Sequence, residues 1–184
     1  MIFAHGSASS RRHSPRNQFV ARVIRESGNG TLLFDLLSAE EEIGDNVTPS
    51  LRFDIGLLAS RLAEVTRWLV VQPAARDLGI GYFGSSIGGG AALVAAAEVG
   101  QRIDAVVSRG GRPDLAGDAL PRVKSPTLLI VGGYDDAVIR LNKEGACGTS
   151  LRKGAENRAG LEAVAHFAAD WFGRHLYSHS VATD

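Results

Sequence analysis

The residues whose types and spacing most clearly indicate chemistry are Gly84, Ser86 and Gly88, which form the pattern G-x-S-x-G within the run Gly84-Ser85-Ser86-Ile87-Gly88. In this pattern a serine occupies a sharp turn between a strand and a helix, and its hydroxyl projects from the turn as a nucleophile. The flanking residues must be small, because larger side chains would collide with the strand and the helix. The amide of Ile87, at the positive end of the helix, is the candidate donor to an oxyanion. The alternative is a small-residue turn that only packs a helix against a sheet.

Two other loops carry residues that would complete a hydrolytic site. Ser7 follows the first apolar run, and its amide is the candidate for the second oxyanion donor. Asp135 and Asp136 follow a later apolar run. We assign Asp135 as the acid that orients an imidazole, and Asp136 as the cap of the next helix. The alternatives are an ordinary polar loop at the first position and two capping aspartates at the second.

The sequence leaves the catalytic base open among its histidines. His166 lies downstream of the acid, as the chain order of such sites requires, and is the candidate base. On a helical wheel it stands about 140° from Leu161, away from the apolar face, which is typical of a solvated position. His5 and His13, near the first loop, are alternatives. His175 falls on the apolar face and is predicted to pack against the core.

Short apolar runs alternate with longer helical patterns along the chain. The runs are mostly apolar rather than alternating, which is typical of strands buried on both faces of a parallel sheet. The pattern predicts an α/β fold with a doubly wound, mostly parallel central sheet of about five strands. Ligands bind such sheets beyond the carboxyl ends of the strands, where the residues above are expected to lie. The predicted strands cover residues 1–4, 31–37, 80–83, 103–107 and 127–131.

Amphipathic helices are predicted between these strands. Thr48 as N-cap followed by Pro49 indicates the start of a helix, whose apolar face continues at steps of three and four through residues 51–69. The run Glu40-Glu41-Glu42 is interpreted as a solvated loop face. The other predicted helices cover residues 87–99 and 161–175.

Taken together, these motifs resemble the α/β-hydrolase superfamily, and specifically its dienelactone-hydrolase-like branch. The resemblance implies that Ser86 is the nucleophile, that Asp135 is the acid, and that the amides of Ser7 and Ile87 form the oxyanion hole. Dienelactone hydrolases proper use cysteine at the turn, so Ser86 implies ester hydrolysis more than dienelactone chemistry. The matching stretches are FAHGSASSRRHSPRN (residues 3–17), IGYFGSSIGGGAALVAAA (80–97), VVSRGGRPDLAG (106–117), PTLLIVGGYDDAVIRLN (126–142) and VAHFAADWF (164–172).

The chain departs from that family in two places, which predict a truncated α/β-hydrolase fold. It starts at the first predicted strand, without the hairpin that usually precedes it. The segment Lys143–Gly160 contains neither an apolar strand run nor a histidine, so the last strand and the histidine loop are expected to be missing. The resemblance therefore implies a serine hydrolase of small carboxylic esters that works through an acyl-enzyme and is impaired by that loss. The alternative is a non-catalytic or vestigial binding module with the hydrolase fold.

Length and composition restrict the remaining possibilities. The 184 residues, 45% of them apolar and 22% charged, suit a single domain spanning residues 1–184. The formal net charge of +0 gives no bulk field toward nucleic acid or membranes, so neither is expected as a partner. One cysteine, no signal peptide and no membrane-length apolar run favour the cytoplasm.

No cofactor and no metal are expected. The chain has no P-loop and no His/Cys cluster with metal spacing, and its only G-x-G-x-x-G match, residues 79–84, is itself a predicted strand. Arg109 and Arg112 follow the fourth strand, where they would bind a substrate carboxylate or remain solvated. The expected partners are a small ester substrate and a second copy of the chain, paired through exposed sheet edges.

Overall fold

Six parallel strands form one central sheet in the computed structural model of the chain, which describes residues 1–4, 12–132, 139–142, 150–154 and 158–176. The strands are β1 (Ile2–Ala4), β2 (Leu32–Leu33), β3 (Gly81–Ser85), β4 (Ala105–Arg109), β5 (Thr127–Gly132) and β6 (Ser150–Gly154). Their order across the sheet is β2-β1-β3-β4-β5-β6, and every neighbouring pair is parallel. The carboxyl ends of all six strands therefore lie at one edge of the sheet.

The helices connect these strands. The α-helices are α1 (Pro15–Glu26), α2 (Ala39–Val47), α3 (Ile55–Val70), α4 (Ile87–Val99) and α5 (Arg158–His175). Shorter 3-10 helices cover Leu51–Phe53, Gly100–Arg102 and Pro113–Arg122, and residues 139–142 are also helical. Among the residues that the structure describes, no helix is both long enough and apolar enough to cross a membrane.

Helices cover both faces of the sheet. Successive residues of a strand point to opposite faces, and both faces of these strands are apolar, so each face needs a layer of helices to bury it. Phe3 and Phe83, whose ring centroids lie 5.0 Å apart, belong to a core shared with α1 and α5. Ile2 and Tyr82, one residue away on the same strands, belong to a second core shared with α3 and α4. This arrangement confirms the prediction of a doubly wound, parallel α/β sheet.

The predicted start, at Thr48 and Pro49, of the helix that corresponds to α3 is wrong. Thr48 ends α2, and α3 begins at Ile55 after Asp54, whose carboxylate accepts a hydrogen bond from the Leu57 amide at 2.9 Å. The intervening chain turns separately because the buried carboxylate of Asp45 accepts the backbone amides of the three residues from 50 to 52, at 2.7, 2.7 and 3.4 Å. A side chain from the preceding helix thus prevents the two segments from merging.

The interpretation of residues 40–42 as a loop is also wrong, because they lie in the first turn of α2. Ser38 caps this helix: its hydroxyl accepts from the Glu41 amide at 3.3 Å, and the Glu41 carboxylate accepts from the Ser38 amide at 2.8 Å. Arg61 of α3 binds both oxygens of the same carboxylate at 2.5 and 2.6 Å. The sequence signal was Ser38 followed three residues later by Glu41, the spacing of a capping box.

The expected loss of the last strand is wrong as well. Residues Ser150–Gly154 form β6, which pairs with β5 in parallel over five residues, from Leu128 opposite Ser150 to Gly132 opposite Gly154. An edge strand of a parallel sheet is held by main-chain hydrogen bonds to one neighbour and needs no apolar run. The sheet therefore has one strand more than the five predicted.

Candidate active site

Ser86 occupies the turn between β3 and α4 in a strained backbone conformation. Its φ is 54° and its ψ is −126°, and it is the only non-glycine residue with positive φ in the described part of the chain. Such a conformation costs on the order of 1–3 kcal/mol and persists only where the surroundings enforce it. The residue is exposed, whereas its neighbour Ser85 is buried, with 4% of its surface accessible. The turn therefore presents one serine of the pair to solvent.

The close approach of strand and helix requires a glycine at position 84, two residues before Ser86. A Cβ atom on Gly84 would lie 2.6 Å from the carbonyl oxygen of Gly88 and 2.7 Å from the Cα atom of Gly89. Both contacts are with backbone atoms, which cannot rotate away as a flexible side chain could. The structure thus confirms the crowding on which the G-x-S-x-G interpretation depends.

Main-chain hydrogen bonds hold Ser86 from both sides. Its amide donates to the Arg109 carbonyl at the end of β4, at 3.2 Å. Its carbonyl accepts from the Gly89 amide at 3.0 Å and from the Arg112 amide at 3.3 Å. The backbone of the nucleophile candidate is therefore fixed by the turn that follows β4.

Ile87 is the first residue of α4, and its side chain is buried beneath the turn. Its amide is one of the four at a helix start that have no acceptor within the helix, so it is available to a negative oxygen. The predicted second donor, Ser7, and the predicted acid, Asp135, lie outside the described residues, as does Asp136.

His166, the candidate base, is exposed on α5 and lies midway along that helix. The carboxyl half of α5 packs at the amino end of β3, since a Cβ on Gly81 would lie 2.7 Å from the Phe172 ring. Ser86 is at the carboxyl end of the same strand and opens α4, which covers the opposite face of the sheet. None of the described contacts brings His166 toward Ser86, and its role as base stays a prediction.

The other described histidines have structural contacts. His13 is exposed at the start of α1, and its Nε2 accepts a hydrogen bond from Arg12 Nε at 3.0 Å. The His175 ring lies 4.3 Å from Trp171, centroid to centroid, which confirms it as a packed residue. Burial, assisted by the neighbouring Arg174, lowers the pKa of His175. His5 lies outside the described residues.

The two arginines after β4 differ in their surroundings. Arg112 binds the Asp114 carboxylate through Nε at 2.9 Å and Nη2 at 2.7 Å. This pairing raises the pKa of Arg112 and lowers the pKa of Asp114. Arg109, half-buried, contacts the Ser86 amide through its main-chain carbonyl. Sequence reasoning missed Asp114, although an arginine and an aspartate separated by one proline are a usable signal for such a pair.

One cavity in the described structure is large enough to hold a small molecule. This cavity, of about 390 Å³, lies at the amino ends of β1 and β3, lined by Met1, Trp68, Leu78, Ile80 and Leu176 among others. It is therefore at the opposite edge of the sheet from Ser86. Over the described ranges, no group of three or more His, Cys, Asp or Glu residues is placed to hold a metal ion.

A strand–turn–helix elbow with an exposed serine, at the carboxyl edge of a doubly wound parallel sheet, defines the α/β-hydrolase class. This chain is 55% identical in sequence to a dienelactone hydrolase from Anabaena variabilis, whose crystal structure superposes on it with a TM-score of 0.90. The match includes 95% of this chain and 85% of that protein's chain. The chain therefore belongs to the dienelactone-hydrolase-like branch of the α/β-hydrolase superfamily.

Other relatives are consistent with this fold. Est1E from Butyrivibrio proteoclasticus has a TM-score of 0.70 at 15% identity, over 94% of this chain and 87% of its own, which shows the shared fold.

Two Mycobacterium tuberculosis proteins are 54% identical over 187 aligned positions and carry the provisional name phosphoribosyl transferase. These matches include 96% of this chain, but they span only 41% of the length of the Mycobacterium tuberculosis proteins. No protein-family model matches the chain.

Proposed function

We propose that the protein is a serine hydrolase of small carboxylic esters, with Ser86 as its nucleophile. The observation that carries the proposal is the backbone of Ser86, strained at φ 54° and locked by three main-chain hydrogen bonds while the residue stays exposed. A turn that only packed a helix on a sheet would have no need of a strained non-glycine residue. The hydrolase name of the structural relative that is 55% identical supports this class of activity.

In the proposed reaction the Ser86 hydroxyl oxygen bonds to the ester carbonyl carbon, and its proton passes to a base. The carbonyl oxygen becomes an oxyanion, which the amides of Ile87 and Ser7 stabilise. The carbon–oxygen bond to the alcohol then breaks, and the alcohol leaves with the proton from the base. Water attacks the acyl-enzyme, releases the carboxylic acid and returns the proton to Ser86. Asp135 is proposed to orient the base.

The proposed activity is limited because the loop expected to carry the catalytic base has no histidine. The three residues between β6 and α5 are Ala155, Glu156 and Asn157, so the histidine that the resemblance implies at this loop does not occur there. His166 keeps the expected chain order, but the described geometry does not support it. A serine hydrolase without its base retains roughly 10³-fold acceleration over water from the oxyanion hole and binding. We therefore expect slow turnover, confined to activated esters.

A non-catalytic module with the hydrolase fold is the second candidate. The same loop, without a histidine between Gly154 and Gly160, is the observation that favours it. This candidate predicts that Ser86 is geometrically prepared but does not react with electrophiles. The provisional transferase name of the curated relatives supports neither candidate, because the chain spans less than half of those proteins.

Labelling by a fluorophosphonate probe, mapped by mass spectrometry, separates the two candidates. The hydrolase predicts an adduct on Ser86 that is lost in Ser86→Ala and retained in Ser85→Ala, the matched control at the buried neighbour. Hydrolysis of p-nitrophenyl acetate is expected to follow the same pattern. Folded protein without an adduct would support the non-catalytic module. Esterase activity that persists in Ser86→Ala would contradict the nucleophile assignment.

His166→Ala tests the base in the same assays. If His166 accepts the serine proton, this variant loses turnover by a factor of at least about 10², within the range for general-base catalysis. Unchanged turnover, with an unchanged Ser86 adduct, would remove His166 from the mechanism and leave the nucleophile in place.

A further inference from the structure

Asn142 is wholly buried, with 0% of its surface accessible, although it belongs to a short helical segment close to the carboxyl edge of the sheet. Its Nδ2 donates a hydrogen bond to the Gly111 carbonyl oxygen at 3.0 Å, across 31 positions of sequence. Burying an amide side chain is costly unless it is hydrogen-bonded, and this contact satisfies the buried side-chain nitrogen. The bond ties the segment after β5 to the turn after β4.

That turn is packed without free space. A Cβ atom on Gly89 of α4 would lie 2.9 Å from the Cα of Gly111. A Cβ atom on Gly111 would itself overlap the buried hydroxyl of Ser108. The turn therefore cannot move toward the helix. Away from the helix it is held by two bonds: the Gly110 amide donates to the Ile130 carbonyl at 2.7 Å, and Asn142 donates to the Gly111 carbonyl.

The turn holds Ser86 through residues on both sides of Gly111. The Arg109 carbonyl accepts the Ser86 amide, and the Arg112 amide donates to the Ser86 carbonyl. We propose that Asn142 is a positioning residue for the nucleophile, which acts by fixing this turn. The catalytic part of the proposal rests on the proposed function, whereas the mechanical part stands on the described contacts alone.

The size of the expected rate loss follows from how strictly the reacting atoms must be positioned. Moving a reacting group by about 1 Å can reduce a rate about 10²-fold, because the attacking atom must meet the carbonyl carbon at a defined distance and angle. Asn142→Ala removes the donor to Gly111 and lets the turn relax. We expect the rate of attack by Ser86 to fall at least tenfold, measured as kcat/KM for p-nitrophenyl acetate, which reports the acylation step.

Two measurements test the proposal, with Ser125→Ala as the matched control. Ser125 is also buried and also donates to a main-chain carbonyl, that of Ile103 at 2.6 Å, but at the amino ends of β4 and β5. Hydrogen exchange of the Ser86, Gly89 and Arg112 amides, which are bonded at this turn, should accelerate in Asn142→Ala and not in Ser125→Ala. The second-order rate of fluorophosphonate labelling should fall in Asn142→Ala only, although both variants lose stability. Asn142→Ser, which keeps a hydroxyl too short to reach Gly111, is the second variant should the alanine variant not fold.

The outcomes separate the two proposals. Altered exchange at the turn in a protein whose Ser86 is never labelled supports the mechanical link and contradicts the hydrolase. Exchange and labelling that remain at the level of the Ser125→Ala control, in a wild-type protein that is labelled, overturn the role of Asn142.

Discussion

Ser86 is held by main-chain groups rather than by side chains. Its amide and carbonyl are bound to the turn after β4 and to the first turn of α4. Substitutions of the Arg109 and Arg112 side chains leave these backbone groups in place, provided that Gly84 and Gly89 remain and the turn after β4 keeps its position. The geometry of Ser86 therefore depends on glycines at the close approach and on the contacts that fix that turn.

Gly84→Ala is expected to destabilise the protein by about 1–3 kcal/mol, the usual cost of overpacking, because its Cβ would strike backbone atoms at 2.6 and 2.7 Å. The measurement is urea-induced unfolding, together with fluorophosphonate labelling of Ser86, which should fall. Gly44→Ala is the control: nothing lies within 4 Å of its Cβ in the exposed middle of α2, so the variant should gain up to about 1 kcal/mol. Equal stability of the two variants would contradict the close approach.

Part of the site could be predicted from the sequence at this scale. The spacing of Gly84, Ser86 and Gly88 was sufficient, because only small residues permit the turn. The donor role of Asn142 could not be predicted, because it depends on a residue 31 positions away. The roles of Ser7 and Asp135 stay predictions, since they lie outside the described residues.

Among the elements, the connection from α2 to α3 is organised by one buried carboxylate. Asp45 accepts three backbone amides and the guanidinium of Arg52. Burial raises the pKa of Asp45, but these hydrogen bonds outweigh it and lower that pKa from 3.8 to about 2. Periodicity alone suggested one continuous helix here, because a side chain that captures backbone amides has no signature in the apolar pattern.

The lowered pKa of Asp45 predicts a dependence of stability on pH. Because the folded-state pKa lies below the unfolded one, the ionised carboxylate stabilises the fold above about pH 4. That contribution is lost as the pH falls from 3.8 toward about 2. Asp45→Asn should therefore lower Tm at pH 7 and flatten the fall of Tm between pH 4 and pH 2.

Thermal unfolding followed by circular dichroism at several pH values would measure this. Part of the acid loss should remain in Asp45→Asn, because Arg61 lowers the pKa of Glu41 to about 2 in the same way. Asp77→Asn, at an exposed carboxylate, is the control and should leave the profile unchanged. A profile of Asp45→Asn that is parallel to the wild type would contradict the prediction.

The molecule as a whole has two apolar cores, one on each face of the sheet. Five of the six strands were predictable, because buried parallel strands form apolar runs. The strand Ser150–Gly154 was not, because only one of its five residues is apolar and its pairing with β5 is decided by main-chain groups. Strand order likewise depends on contacts between distant segments, which one sequence does not display.

Phe172 connects α5 to the sheet, and its removal tests the first of these cores. The ring is fully buried against Gly81, so Phe172→Ala should cost about 3–5 kcal/mol in urea unfolding. Phe53→Ala, at a ring that is 58% exposed, should change stability by no more than about 0.5 kcal/mol. If Phe172→Ala changed the free energy of unfolding by no more than Phe53→Ala does, α5 would contribute little to the stability of the fold.

The positive φ of Ser86 also has a consequence for anyone who wishes to use the molecule as a scaffold. The penalty arises from the β-carbon, so alanine keeps it and glycine releases it. Ser86→Gly is thus expected to melt at a higher temperature than Ser86→Ala, although neither carries a reactive oxygen. Under the proposed function, this difference in stability is the cost of presenting a hydroxyl at a position that glycine would fill with less strain.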